Sequence, residues 1–260
     1  MLNSSKVSEF LKRGLEKTIA VIIFILLWEV IPRLGLVDRM YLPPFIEVVA
    51  AFVKLLLSGD LFIHIGSSLQ RSLIGLFAAV LTAIPLGIFI GWFKRFERII
   101  DPLLQIFRNT STLALFPVFV LIFGLGELSK VAIIFWGTLW PMLINTISGV
   151  KGVDPILVKS AKSMGTTNLQ LFRKVILPAS MPSIITGFRL SAAASILVLV
   201  AAEMLGANSG LGFLIFYSEQ KYDIAEMYSG IVMISILGVI INYLIEVLEH
   251  RLLGWKEQAN

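Results

Sequence analysis

SLIGLFAAVLTAIPLGIFIGWF, the run from Ser72 to Phe93, contains no charged side chain. A helix needs about 20 largely apolar residues to cross a hydrocarbon core of about 30 Å, and this run is long enough to do so alone. Three more uncharged runs follow it: Asn109–Gly126, Val131–Val150 and Met227–Ile245. Two weaker runs complete the set. One starts near Thr18 and reaches about Leu34, with Glu29 near its far end; the other, roughly Pro182–Ala202, is interrupted by Arg189. The fold predicted is all-α, a polytopic membrane helix bundle of six transmembrane helices.

The rest of the chain agrees. Hydrophobic residues make up 57% of 260 positions, charged residues 15%, and mean hydropathy is +0.88. Soluble domains are about a quarter charged, so this chain is too apolar to cover itself with a polar surface, and membrane lipid is its expected surrounding. The absence of cysteine removes disulfides, thiolate catalysis and Cys-ligated metals. A net charge of +5 raises the question of nucleic acid, but the position of the charges answers it.

With the N-terminus in the cytoplasm, Lys6, Lys12, Arg13, Lys17, Lys94, Arg95, Arg98, Lys151, Lys159, Lys162, Arg173, Lys174, Arg251 and Lys256 all lie inside. Only Arg33, Arg39, Lys54, Arg71, Lys130 and Lys221 lie outside, with Arg108 and Arg189 left in spans. That asymmetry matches the positive-inside rule and not a nucleic-acid surface. The predicted location is the cell inner membrane, multi-pass, both termini cytoplasmic. The organisation predicted is a cytoplasmic segment over residues 1–17, a membrane domain over 18–250 and a cytoplasmic tail over 251–260. The first span is retained, since no small-x-small cleavage site follows Trp28. Phe45–Leu57 is apolar apart from Glu47 and Lys54, seven residues apart on one helical face. It reads either as a helix in the outer interface or as one packed on the bundle.

The loop between spans four and five, residues 151–178, is the most informative segment. Asp154-Pro155 is a natural helix start, an acceptor side chain followed by a ring with φ already set. Gly165 permits a sharp break, and Thr166-Thr167-Asn168 offers caps for a second helix. Leu169, Phe172, Val175 and Ile176 give that helix an apolar face, and Pro178 and Pro182 bracket entry to the fifth span. The segment reads as a short helix–turn–helix standing out of the membrane on the cytoplasmic side.

This segment resembles the coupling-loop signature of ABC importer permeases: Glu-Ala-Ala, three residues, Gly, nine residues, Ile-x-Leu-Pro. Ala161, Gly165, Val175, Leu177 and Pro178 are in register, whereas Lys159 and Ser160 replace the usual Glu and Ala. Leu42-Pro43-Pro44, Ser68-Leu69-Gln70-Arg71-Ser72-Leu73, Ile84-Pro85-Leu86-Gly87, Phe123-Gly124-Leu125-Gly126-Glu127 and the run Ala202–Gly212 resemble one subgroup. Its members carry nitrate, taurine and aliphatic sulfonates, and relatives carry bicarbonate and pyrimidine vitamin precursors.

The resemblance implies a type I importer permease that works by alternating access as a homodimer. Its implied partners are a second copy of itself, two ATP-binding subunits and a periplasmic or lipid-anchored substrate-binding protein. Lys159, Ser160, Ala161, Lys162, Gly165, Thr166, Asn168, Leu177 and Pro178 would form the docking loop for the ATPase. No cofactor is implied for this chain, ATP and Mg being bound by the partner. In keeping with that, no Gly-Lys-Ser or Gly-Lys-Thr occurs, so no Walker A loop exists.

Residues for the pathway come from the spans. Arginine within a membrane usually faces a bundle interior or an aqueous cavity. Arg108, followed by Asn109-Thr110-Ser111, and Arg189, near Ser191 and Ser195, are candidates to hydrogen-bond an oxyanion. The alternative for either arginine is snorkelling, or a structural pair with a carboxylate or a helix end. Glu203 is a candidate for a salt bridge or a gate. The Gly206–Gly212 turn, with Asn208 and Ser209, either folds back into the bundle or faces solvent. Two other classes remain: a secondary transporter, whose coupling acid would be Glu29 or Glu203, and a membrane-embedded enzyme. The latter lacks paired nucleophile and base or metal ligands, with His64 and His250 in different regions and no His-Glu-x-x-His or Gly-x-Ser-x-Gly.

Overall fold

The computed structural model describes the backbone of residues 4–257 and the side chains of residues 19–251. Eleven helices follow in order among the described residues: α1 (Ser4–Arg33), α2 (Phe45–Ser58), α3 (Asp60–Trp92), α4 (Lys94–Asn109), α5 (Phe116–Phe123), α6 (Glu127–Lys151), α7 (Pro155–Ser163), α8 (Asn168–Leu171), α9 (Leu177–Met204), α10 (Leu211–Gln220) and α11 (Ile224–Glu257). Among the described residues, four stretches are long and apolar enough to cross a membrane: α3, α6, Asn168–Met204 and Ile224–Arg251 within α11. The bent pair of α4 with Leu113–Phe123 makes a fifth. The sixth expected span, Thr18 to Leu34, falls in α1, where side chains through Thr18 lie outside the described residues. So do the side chains of the expected N-terminal segment, 1–17, and of the tail beyond Arg251.

Residues up to Phe62 group with Leu214–Val232 in one compact unit, and Ile63–Phe213 with Met233 onward in a second. In the first unit, Trp28 of α1 donates its indole N–H to the Pro43 carbonyl at 3.0 Å. Glu29 accepts the Ile46 N–H at 3.0 Å, satisfying an orphan donor at the start of α2, and pairs with Arg33. Ser229 and Tyr228 of α11 donate to the Val48 and Tyr41 carbonyls at 2.9 and 3.0 Å. Within this unit α2 is held by hydrogen bonds to its neighbours, and Glu29 is engaged in that work.

The core of the second unit is built by three helices. Ala79, Ala83 and Ile90 of α3 meet Leu139, Met142, Leu143 and Ile147 of α6 and Ile184 of α9. Lipid is as apolar as these side chains, so helices associate in it through close packing and interhelical hydrogen bonds. Gly187 of α9 shows the first: a Cβ there would stand 2.8 Å from Asn145 Cβ. Ser191 shows the second, donating to the Thr138 carbonyl at 2.7 Å.

The third expected span, Asn109–Gly126, is not one helix. α4 ends at Asn109, a short 3-10 turn covers Leu113–Leu115, and the direction changes by 85° before α5 continues. The cause is local. Asn109 and Thr110 turn their side chains onto the Gln105 and Ile106 carbonyls at 2.8 and 2.9 Å. Such polar groups compete with helical bonding, and Pro117 has no N–H with which to restore it. The opposite happens at the fifth span, whose entry Pro178 and Pro182 are expected to bracket. There α8 runs into α9 through a wide π turn over Phe172–Ile176. A wider turn relieves the clash that the Pro178 ring would make with a carbonyl four residues back.

Candidate functional site

Two constructions in the second unit concentrate polar chemistry, and the first is the loop from Asp154 to Ile176. The Asp154 carboxylate accepts the Ile156 N–H at 2.7 Å, and Pro155 opens α7. The chain leaves α7 through Gly165 at φ +76°, a left-handed conformation that favours glycine. Thr167 then caps α8: its hydroxyl accepts the Gln170 N–H at 3.3 Å while the Gln170 side chain accepts the Thr167 N–H at 2.9 Å.

Below this turn, Ala161, Leu171 and Ile176 pack with Val150 and Val153, with Phe172 and Val175 against the edge. The expected apolar face is therefore shifted: Leu171 is buried in it and Leu169 is 60% exposed. Ala161 is 3% exposed, so the motif's small residue sits where little more than a methyl group fits. Leu177 packs on the main core, whereas Pro178 is exposed. On the outer side Lys159, Ser160, Lys162 and Asn168 are exposed beside Ile156, Leu157, Met164 and Leu169. An exposed apolar crown on a rigidly capped turn is suited to docking against another surface.

The second construction is a buried ionic cluster at the start of α10. Glu203 of α9 accepts from Arg71 Nη1 at 2.7 Å, from the Ser68 hydroxyl at 2.9 Å and from the Gly212 N–H at 2.9 Å. Arg71 turns its Nε and Nη2 to Glu127 at 2.5 and 2.8 Å and donates to the Ser209 carbonyl at 2.6 Å. Ser68 also accepts the Leu211 N–H at 2.8 Å, and His64 Nδ1 accepts the Gly210 N–H at 3.1 Å. The first N–H groups of α10 thus meet acceptors, as an N-terminal dipole favours. A side chain at Gly210 would overlap the Glu203 carboxylate. The Gly206–Gly212 turn is tied to α3 by these bonds, with Asn208 left exposed.

The other pathway candidates separate. Arg108 ends α4 and lines a cavity of about 470 Å³ between α4 and α6. Asn109 and Thr110 satisfy their own helix end, and the Ser111 hydroxyl accepts the Ala114 N–H at 3.5 Å. Arg189 pairs with Glu249 of α11 at 3.1 Å. Ser191 bonds α6, and Ser195, also buried, lies 3.0 Å from the Ser72 hydroxyl of α3. Arg71, counted among the outer basic residues, is a buried side chain within α3, a burial that a charge map does not register. Its signal is the pair Ser68 and Arg71, three apart on one helical face, ahead of an uncharged run.

Comparison with known proteins agrees with this architecture. Residues 83–254 match the family described as the inner membrane component of binding-protein-dependent transport systems. SsuC of Bacillus subtilis, a permease protein assigned to aliphatic sulfonates transport, is 37% identical over 90% of this chain and 85% of its own length. TauC of Escherichia coli, a taurine transport system permease protein, is 32% identical over 92% of this chain and 88% of its own. ThiX of Halalkalibacterium halodurans, a formylaminopyrimidine transport permease protein, is 32% identical over 95% and 98%. Among solved structures, an inward-facing MetNI methionine ABC transporter chain superposes with a TM-score of 0.67 at 17% identity, over 75% of this chain and 97% of that one.

Proposed function

The chain belongs to the family of inner membrane components of binding-protein-dependent transport systems, and we propose that it forms the translocation pathway of an ATP-driven importer for small organosulfonates. It is an ABC importer permease of the sulfonate and taurine type, not an enzyme. The observation that supports ATP-driven coupling is the loop Asp154–Ile176, capped at both helices, packed beneath on Ala161 and apolar on its free side; the cargo reading is supported by the likeness to SsuC and TauC.

In this reading the crown of Ile156, Leu157, Met164 and Leu169, flanked by Lys159 and Lys162, docks in a groove of a separate ATPase that binds ATP and Mg. Two copies of the chain enclose one pathway, and a periplasmic or lipid-anchored binding protein delivers the cargo. The basic residues at the α3–α4 junction and on α7–α9 support a cytoplasmic position for that crown through the positive-inside rule. Closure of the ATPase dimer moves the docked loops and, through α6 and α9, the core they pack on.

The test is reconstitution with the ATPase and binding protein. Alkanesulfonate-loaded binding protein should stimulate ATP hydrolysis and drive uptake into vesicles. A complex stimulated by a formylated aminopyrimidine and not by a sulfonate would support the reading favoured by the ThiX likeness. No stimulation by either would overturn the importer assignment of cargo. One permease copy per two ATPases, with no second permease chain, would overturn the dimer.

A further inference from the structure

A second cavity, of about 580 Å³, opens between α4, the end of α6 and α7. Lys94 and Arg98 of α4, Lys151 of α6 and Lys159 of α7 line it, against a single acid, Glu97. That acid is already engaged, since Glu97 pairs with Lys151. Lys94, Arg98 and Lys159 enter no ion pair among the described residues, and all three are exposed. Arg98 Nε points back at the Lys94 carbonyl at 3.4 Å, which leaves the terminal nitrogens of the guanidinium for another partner. The next acid along the chain, Asp154, spends its carboxylate on the Ile156 N–H. Beneath the charged rim the lining turns apolar, with Gly91 and the buried Val150 and Val153.

The cavity sits where a membrane span ends. α3 is apolar as far as Trp92, and the basic pair Lys94-Arg95 follows directly after Phe93. Tryptophan at such a junction belongs to the interfacial layer of a bilayer, and Trp92 is anchored there edge-on against Phe172, with ring centroids 5.6 Å apart. Basic pockets between membrane helices bind anionic headgroups in this layer. On α7 the lining residues Pro155, Val158 and Lys159 occupy a different face from Ile156 and Leu157 of the exposed crown. An occupant of the cavity and a surface docked on the crown therefore do not compete for the same side of α7.

We infer that this cavity binds a phosphate group, carried by an anionic phospholipid or free in solution, on Lys94, Arg98 and Lys159. The guanidinium presents paired N–H donors to two phosphate oxygens, and each lysine adds a point charge. A phosphate held from both sides joins α7 to α4 across the cavity, and so braces the loop proposed to dock the ATPase. The binding itself needs only the membrane span and this lining, and is independent of the cargo.

The test is native mass spectrometry of the permease–ATPase complex in neutral detergent, titrated with phosphatidylglycerol or with phosphatidylcholine of the same chains. The parent should bind phosphatidylglycerol at least tenfold more tightly, with the preference shrinking as salt is raised. Lys94→Gln with Arg98→Gln should lose at least tenfold in phosphatidylglycerol affinity and leave phosphatidylcholine unchanged. The charge-keeping exchange, Lys94→Arg with Arg98→Lys, should bind as the parent does. So should Arg95→Gln with Lys174→Gln, which removes as much charge from exposed positions outside the lining. All these side chains are exposed, so melting temperatures on the same samples should match the parent. Calorimetric titration of the lipid-free complex with inorganic phosphate separates the two sources. Binding that Lys94→Gln with Arg98→Gln abolishes assigns the site to free phosphate as well; its absence, beside a preference for phosphatidylglycerol, assigns it to the headgroup alone. Three results would each overturn the inference: neither inorganic phosphate binding nor a preference for phosphatidylglycerol, affinity unchanged in Lys94→Gln with Arg98→Gln, or an equal loss in Arg95→Gln with Lys174→Gln.

Discussion

Arg71 Nη1 lies 2.7 Å from Glu203 Oε1, with side-chain exposures of 5% and 0%. Both charges are out of water, which is costly unless every lone pair and proton finds a partner. Here they do. Glu203 collects the guanidinium, a hydroxyl and a backbone N–H, and Arg71 reaches Glu127 and the Ser209 carbonyl with its remaining donors. The pair therefore joins α3 to α9 and fixes the turn that starts α10.

Removal of one partner should be worse than removal of both. Glu203→Ala leaves Arg71 with Glu127 as its one carboxylate partner among the described residues, and Glu127 is 65% exposed, so the expected loss is about 3–5 kcal/mol. The double variant Arg71→Met with Glu203→Met should melt above either single one, because no charge is left buried without its partner. Thermal unfolding in detergent reads this directly. Additive losses would mean that the two groups act independently.

Gly165 offers a backbone test of the docking loop. Nothing lies within 4 Å of a Cβ built at this position, so the only obstacle to a side chain is φ +76°. Left-handed conformation costs a non-glycine residue about 1–2 kcal/mol, with Asn among the better tolerated. Gly165→Asn should retain most transport and Gly165→Val should lose at least tenfold, while both stay folded in membranes. Transport unchanged in Gly165→Val would rule out this loop as the coupling element.

The bundle was legible because apolar run length and charge asymmetry report directly on a membrane. The capped turn was legible too: Asp154-Pro155, Gly165 and Thr167 act through their own backbone neighbours, which sequence contains. Long-range pairing was not. Arg71 meets Glu203 across 132 residues, and nothing near either residue announces the other. The bend after α4 was masked for a different reason: Asn109–Gly126 is uncharged and long enough to span. Hydropathy does not register that polar side chains will bond their own helix end.

The exposed crown predicts a separation of stability from assembly. Met164 is 76% exposed and Leu169 60%, so Met164→Glu and Leu169→Glu should change stability by no more than about 0.5 kcal/mol. The same substitutions place a carboxylate against the proposed ATPase groove. Recovery of the ATPase with tagged permease should fall at least tenfold with melting unchanged. Full recovery of a stable complex would remove the crown from the interface.

Arg189 supports two readings that a charge exchange can separate. Its guanidinium stands 3.1 Å from Glu249 Oε2, joining α9 to α11. The neighbouring cavity wall is otherwise almost wholly apolar, formed by Ala193, Ile196, Leu197, Ile241 and Ile245. An ion pair against such a wall holds only while both charges are present, so Arg189→Glu sets two carboxylates together and should destabilise the α9–α11 contact. Glu249→Arg in the same chain reverses the pair and should restore both melting temperature and uptake to near the parent level. A pathway arginine behaves otherwise. If position 189 must present positive charge to a passing sulfonate, the exchanged pair recovers its melting temperature, but uptake stays lost because position 189 remains acidic. We expect recovery of both, since the geometry already gives Arg189 a fixed counter-ion, whereas Arg108 on α4 faces a cavity without an ion-pair partner among the described residues.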